Sequence, residues 1–541
     1  MPQNESAGQA GTWHGAVAQS RLEGLVDNAP PPAAQESVAL RQYQRAVIAE
    51  LERAIAAGRR RVLLVAPTGA GKTVIAADLV RRAIERGHGV LILAHRLELI
   101  EQAHAKLFDL GIDAGTIKAG FPMRLGEPVQ IASVQTLTAR AIRGRAIDLP
   151  RAELVIVDEA HHARAKTWRA VIAAYPRAVI LGLTATPCRG DGKGLGNIFD
   201  ALIECPPVQE LINLGCLVPT RVYAPTRPDL SGVTVRQGDY AAAALEARMD
   251  QAPLIGDIVT HWHRHAERRR TVVFASGVGH SVHLRDEFRR SGVAAEHIDG
   301  ATPIEERDAI LKRLSRGEVE IVSNCMVLTE GWDSPDVSCI VLARPTRQMG
   351  LYRQMVGRVL RPAPGKTDAI VLDHAGAVFA HGFVEEPVSW TLDVDRRAEN
   401  PTHAARGSYH APSLTTCPEC SAVRFEGRAC PVCGWLPKPK PTSIDVADGE
   451  LGPVDHKRRT QPSEWTPAER ALFHAMLLHI AQDRGYRSGW AGHKYRERFG
   501  SWPDAPPWQL PAPQPPDDAT LAWVRSRQIA YARAMQKRPA A

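Results

Sequence analysis

The chain has 541 residues, of which 44% are apolar and 23% charged, with a net charge of +8. At about 150 residues per domain this length predicts three or four units, and the composition excludes a mostly disordered or fibrous chain. The longest apolar runs, such as 61–66 and 178–183, fall far short of the roughly 18 residues that span a bilayer.

Residues 1–37 are rich in Ala, Gly, Gln and Pro and read as a flexible leader. They lack the continuous apolar core of a secretory signal, so a cytoplasmic location is expected. An amphipathic helix over 41–57 precedes a buried strand at 61–65, and further apolar runs follow at 90–94, 129–132, 154–157 and 179–183 with helical stretches between them. The rhythm restarts at 271–275 and continues through 293–298, 319–324, 337–342 and 369–372. Strands alternating with helices predict parallel sheets covered on both faces. We therefore expect an α/β protein with two tandem domains, 38–215 and 216–384. A linker (385–410), a small cysteine module (411–437), a Pro/Lys linker (438–462) and a basic helical tail (463–541) follow. The tail should form helices over 466–484 and 518–537 about a Pro-rich break at 502–516. Residues 451–541 carry a net charge of +6, which suits a polyanion partner or a solvated surface.

The strongest chemical signal is Ala66-Pro-Thr68-Gly69-Ala70-Gly71-Lys72-Thr73, directly after a buried strand and before a helix. Glycines at 69 and 71 let backbone N–H groups turn toward phosphates, and the following helix N-terminus adds partial positive charge. Lys72 can reach β/γ-phosphates and Thr73 can ligate Mg²⁺. The general pattern has Gly where this chain has Ala66. Some 85 residues on, the strand Leu154-Val-Ile-Val ends in Asp158 and Glu159. The first suits Mg²⁺ and the second suits orienting and deprotonating an attacking water.

Asp158-Glu-Ala-His161 together with the phosphate loop resembles the superfamily 2 helicases and translocases. Further segments match that family in order: Leu40-Arg-Gln-Tyr-Gln44, Leu93-Ala-His-Arg96-Leu-Glu-Leu, Ser133-Val-Gln135-Thr136, Thr184-Ala-Thr186-Pro, Val273-Phe-Ala, the run from Asn324 through Thr329-Glu-Gly331-Trp-Asp333, and Gln354-Met-Val-Gly357-Arg358-Val-Leu-Arg361. The forms of several motifs, the run 354–368 and a cysteine module downstream are similar to the RadD-like group, related to type I and III restriction motor subunits. The resemblance implies two RecA-like domains with ATP between them. It implies that Gln44 contacts the base, that Gly331 and Asp333 border the ribose and phosphates, and that Gln354 lies near the γ-phosphate. It makes Arg358 and Arg361 the charges offered across the cleft, and His161, Thr184 and Thr186 the coupling residues. Arg96, Gln135, Thr136 and Thr329 become candidate contacts to a nucleic-acid strand, made mostly to its backbone. A bacterial or prophage-borne origin and a single-stranded-DNA-binding protein as partner also follow from the resemblance.

Cys417-Pro-Glu-Cys420 and Cys430-Pro-Val-Cys433 are two C-x-x-C knuckles nine residues apart, a spacing that suits a small tetrahedral Zn²⁺ ribbon. With few apolar residues of its own, such a module needs the metal to fold. The other five cysteines, 188, 205, 216, 325 and 339, read as core residues in a reducing compartment. The tail mixes Trp465, Trp490, Trp502, Trp508 and Trp523 with Arg and Lys, fitting either stacking on unpaired bases or a helical core with a basic surface. The expected activity is an ATP- and Mg²⁺-dependent motor on single-stranded or branched DNA, acting in repair, recombination or fork processing. An RNA helicase and the motor of a restriction or phage-defence complex are the alternatives. Intact Glu159, Arg358 and Arg361 argue against a non-enzymatic ATP-gated binding module.

Overall fold

A computed structural model describes residues 40–437 apart from 189–191, 225–227, 237, 397, 399 and 401–412, and residues 465–536 apart from 488 and 505–509. The leader 1–37, the linker 438–462, Trp508 and part of the linker 385–410 lie outside the described residues. The chain divides at residue 440 into two compact units, each described by itself.

The first unit carries two all-parallel sheets. Strands β1 (Arg61–Val65), β2 (Val90–Ala94), β3 (Gly115–Ile117), β4 (Val129–Ser133), β5 (Leu154–Val157), β6 (Val179–Thr184) and β7 (Ala201–Glu204) form the first lobe, in the order β3-β4-β2-β5-β6-β1-β7. Strands β2 and β4 are buried along their whole length, which is why they read as unbroken apolar runs. The short edge strands β3 and β7 carry too little pattern to be seen in sequence alone.

The second lobe opens with β8 (Thr220–Tyr223), and after a small hairpin of β9 (Val235–Arg236) and β10 (Asp239–Tyr240) come β11 (Thr271–Ala275), β12 (Ala295–Ile298), β13 (Ile321–Asn324), β14 (Cys339–Ala343) and β15 (Ala369–Asp373). Its sheet runs β12-β13-β11-β14-β15-β8. The sequence expectation began this rhythm at 271; the structure adds β8, an edge strand paired with β15. Trp262, on the helix Ala252–His265, is fully buried, donates from Nε1 to Thr271 Oγ1 at 2.8 Å and meets Phe288 edge-on.

The cysteine module pairs β16 (Leu414–Thr416) with β17 (Val423–Phe425). It lies against the second lobe: Ala422 bridges to Tyr223, and Cys417, Ala422 and Cys430 share a core with Tyr223, Ile258 and Trp262. The guanidinium of Arg424 stacks 4.7 Å over Trp435. Borrowed apolar surface thus makes up for the module's small core.

The second unit holds helices Pro467–Asp483, Trp490–Phe499 and Asp518–Gln536. Thr466 and Glu469 close a reciprocal cap on the first. The middle helix falls in a stretch with no sequence expectation of structure. Trp465, Trp490 and Trp523 pack against a core of Phe473, Leu477, Ile480 and Tyr495, so three of the tail's tryptophans are structural. Trp502 is 48% exposed beneath the guanidinium of Arg496.

Replacing Trp262 with Ala removes a fully buried ring and its hydrogen bond. It is expected to cost about 3–5 kcal/mol, read as a lower urea midpoint for the second lobe by circular dichroism.

Candidate functional site

The phosphate loop links β1 to the helix Lys72–Glu85. Gly69 and Gly71 have φ of +88° and +81°, backbone that a side chain would strain. A Cβ on Gly71 would stand 2.5 Å from Gln44 Nε2, so the Gln44 amide rests on the loop itself. Tyr43 donates its hydroxyl to the Ala70 carbonyl at 2.7 Å, a contact the sequence reading did not single out. Arg41, Tyr43, Val47 and Cys216 line a cavity of about 960 Å³ beside the helix Gln42–Ala56.

Lys72 donates to the Ala66 carbonyl at 3.3 Å, and burial pushes its amine below the usual lysine range against the pull of Glu159 and Asp158. Thr73 is exposed at the start of the helix. Burial, with Glu159 adjacent, pushes Asp158 up to about 6. Glu159 sits at φ +47°, a left-handed conformation that costs energy for a non-glycine residue. Its Oε2 is buried and makes no aligned hydrogen bond, with His161 Nδ1 at ion-pair distance, 3.4 Å.

The second lobe closes over this loop. A Cβ on Gly357 would meet Thr68 Cβ at 2.6 Å, and one on Gly69 would meet Arg361 Cγ at 3.2 Å. Only glycine lets the Thr68 side chain lie this close to residue 357 and the Arg361 side chain this close to residue 69. Arg361 pairs with Asp333. Arg358 is fastened by the carbonyls of Thr329 (3.1 Å from Nε, 2.6 Å from Nη2) and Trp332 (2.7 Å from Nη1). Burial lowers the Arg358 pKa while Glu159, Glu330 and Asp158 favour its charge. The charges of both arginines bear on Lys72, and the Arg361 side chain lies over Gly69 of the phosphate loop.

Gln354 Nε2 donates across the lobes to Thr186 Oγ1 at 3.3 Å. Thr184 Oγ1 donates to the Thr186 carbonyl and accepts from the Thr186 amide, both at 3.1 Å. His161 joins this chain: its Nδ1 lies 3.4 Å from Thr184 Oγ1 and 3.4 Å from Glu159 Oε2, and its Nε2 lies 3.3 Å from Glu330 Oε1. Burial would lower the His161 pKa, but Glu330 and Glu159 outweigh it and raise it. Burial likewise would raise Glu330, yet the imidazoles of His161, His162 and His95 hold it well below the usual carboxylate range. Glu330 is the residue the sequence reading missed. It stood between Thr329 and Gly331 in a recognised motif, but nothing local marks a glutamate whose partners lie 168 and 169 residues away.

Gly331 packs on the first lobe's helix Leu97–Phe108, where its carbonyl accepts from Gln102 and a Cβ would meet Leu99 at 3.5 Å. Glu98 and Arg307 form a further ion pair between lobes at 2.6 Å. Of the four candidate strand contacts, Arg96 lines cavities of about 570 and 560 Å³ between the lobes, and Gln135 is exposed. Thr136 and Thr329 are buried, with hydroxyls already engaged by the Ala119 amide and the Met326 carbonyl.

The four module cysteines converge. Cys417 and Cys433 sulfurs lie 3.7 Å apart, Cys420 and Cys430 sulfurs 3.6 Å, and all four sit within 4.8 Å of one another. A tetrahedron with metal–sulfur bonds of about 2.3 Å has edges of about 3.8 Å, so the donor set fits Zn²⁺.

Residues 37–189 match the family described as type III restriction enzyme, res subunit, and residues 253–363 match the helicase conserved C-terminal domain. The chain is 30% identical over 373 residues to a 51.5 kDa protein of Lactococcus phage (isolate 7-9), covering 69% of this chain and 77% of that one. It is 30% identical over 359 residues to a candidate ATP-dependent helicase, IRC3, of Saccharomyces cerevisiae, covering 62% of this chain and about half, 52%, of that relative's length. A solved fragment of a candidate HsdR subunit of a type I restriction enzyme from Vibrio vulnificus YJ016 shares the fold with a TM-score of 0.50 at 22% identity, over 66% of this chain and 69% of that one. The two matched regions carry the two faces that meet at the phosphate loop, and the chain belongs to the superfamily 2 helicases, ATP-hydrolysing motors related to the motor subunits of restriction enzymes.

Proposed function

We propose that this chain couples ATP hydrolysis to movement along single-stranded or branched DNA, in repair, recombination or fork processing. The observation that carries the reading is the Arg361 side chain of one lobe lying over Gly69 in the phosphate loop of the other, with the Arg358 charge also bearing on Lys72. In that reading Lys72, the loop amides and the two guanidiniums hold the triphosphate from both sides. Thr73 and Asp158 would hold Mg²⁺, which when bound neutralises charge on the β- and γ-phosphate oxygens. Glu159, with a buried oxygen that makes no aligned hydrogen bond, orients the attacking water and takes its proton. Guanidiniums tied to main-chain carbonyls and Asp333 need little reorganisation to meet the transferring group. Loss of the γ-phosphate removes their partner, and the lobes part; repeated closure moves one lobe along a bound strand.

Arg96 and Gln135 are the strand contacts we retain as foremost, because Thr136 and Thr329 have their hydroxyls engaged within the protein. Four converging thiolates make Zn²⁺ the structural ion of the cysteine module. Trp502 and Arg496 are the exposed tail residues best suited to base stacking. A single-stranded-DNA-binding protein is the partner that the RadD-like resemblance suggests. The second reading, a motor inside a restriction or phage-defence complex, is favoured by the match of residues 37–189 to a restriction subunit family. It predicts a nuclease partner that co-purifies with the chain.

The deciding experiment measures ATP turnover with single-stranded DNA, duplex, fork and RNA. Stimulation by RNA alone defeats the DNA reading. Glu159→Gln is expected to lower turnover by roughly 10²–10⁴-fold while nucleotide binding persists; wild-type turnover in that variant defeats the mechanism. Cys420→Ser is expected to release zinc and, because the module packs on β8, to lower the thermal midpoint of the second lobe. An unchanged midpoint with zinc lost would separate the metal from the lobe's stability.

A further inference from the structure

His95 follows β2 and His162 follows β5, both in the first lobe; Glu330 reaches them from the second. The two imidazole centroids are 4.5 Å apart. His95 Nε2 lies 3.3 Å from Glu330 Oε2, and His162 Nε2 lies 3.3 Å from Glu330 Oε1. One ligating atom from each of the three residues falls within 4.8 Å of the others. Glu330 Oε2 is buried and meets His95 Nε2 at ion-pair distance without an aligned hydrogen bond, and His95 Nδ1 is buried with no hydrogen-bond partner. A buried, ionised oxygen left imperfectly satisfied costs about 1–3 kcal/mol or more. An ion ligated by His95 and Glu330 would satisfy that oxygen.

We propose that His95, His162 and Glu330 form a site for a divalent transition-metal ion, Zn²⁺ fitting best, that staples the two lobes together. Two imidazoles and one carboxylate are a borderline donor set of the kind Zn²⁺ takes, while Mg²⁺ and Ca²⁺ prefer oxygen alone. Ligand bonds of about 2.0–2.1 Å in a tetrahedron place ligand atoms about 3.3 Å apart, and each imidazole lies at that distance from its own carboxylate oxygen, His95 from Oε2 and His162 from Oε1. Three protein ligands leave one position open, and His162 and Glu330 line the cavity of about 560 Å³ through which an ion and water enter. His161 lies outside the set whose ligating atoms fall within 4.8 Å of one another, and its Nε2 stays on Glu330 Oε1 at 3.3 Å.

Because the ligands come from both lobes, the ion binds the closed arrangement best and draws the population toward it. Binding itself follows from the three side chains alone. Its consequence, a stalled cycle, rests on the motor reading above.

The test uses the full chain with the cysteine module loaded. Co²⁺ is titrated in, and the spectrum separates thiolate-bound metal, marked by sulfur-to-metal charge transfer, from metal bound by nitrogen and oxygen. We expect one further equivalent with d–d bands and no charge transfer, absent from Glu330→Gln and His95→Ala, which keep the thiolate-bound equivalent. Uptake confined to thiolate-type metal in the wild-type chain overturns the proposal even if the variants fail to fold. So does retention of the further equivalent by both folded variants. Separately, Zn²⁺ at one further equivalent should slow DNA-stimulated ATP turnover at least roughly fivefold. Absence of any turnover without Zn²⁺ would count against the motor reading and leave the metal titration standing as its own measurement.

Discussion

Arg358 is anchored by carbonyls of its own lobe, and Arg361 by Asp333, yet the charge of both falls on the opposite lobe, where Lys72 lies. This arrangement of guanidiniums set against a phosphate loop constrains the rest of the molecule. Bringing like charges together away from water is costly unless an anion joins them. The carboxylates Asp158 and Glu159 meet part of that cost, and a triphosphate between the lobes meets more. At Gly357 and Gly69 a Cβ would run into the Thr68 and Arg361 side chains of the opposite lobe, so glycine keeps the lobes in contact there.

Around that contact, polar side chains join the lobes alongside an apolar cluster that runs through both. Gln354 reaches Thr186, Arg307 reaches Glu98, and Gln102 reaches the Gly331 carbonyl. Such contacts form and release at modest cost, which suits surfaces that must part. Glu330 is the most deeply engaged, since three imidazoles surround one carboxylate and one of them also touches Glu159. The path from the second lobe to the candidate general base is therefore a single imidazole long.

The cysteine module and the tail solve the problem of small size differently. The module shares its core with β8 and the helix Ala252–His265, and its four cysteine sulfurs converge as a donor set that fits a metal ion. The tail builds its own core from aromatic rings, among them Trp465, Phe473, Phe499 and Trp523 in edge-on pairs. Aromatic residues that read equally as base-stacking surface or core thus divide, with Trp502 left outside.

Local spacing determined a great deal. A strand, a glycine loop and a helix in succession are enough to specify a phosphate site, because eight consecutive residues supply every part of it. Two C-x-x-C knuckles specify a metal site for the same reason. The alternating apolar runs specified two parallel sheets, since strands covered on both faces have to be apolar throughout. What only tertiary structure decided involves partners far apart in the chain: Glu330 with His95 and His161, Gly357 against Thr68, β8 completing a sheet whose next strand in space is β15, and the module docked on that same lobe. A short edge strand and a single buried glutamate carry no periodicity of their own. Their identity is set by which surfaces meet when two separately specified lobes close, and that is a matter of three-dimensional packing that no run of neighbouring residues encodes.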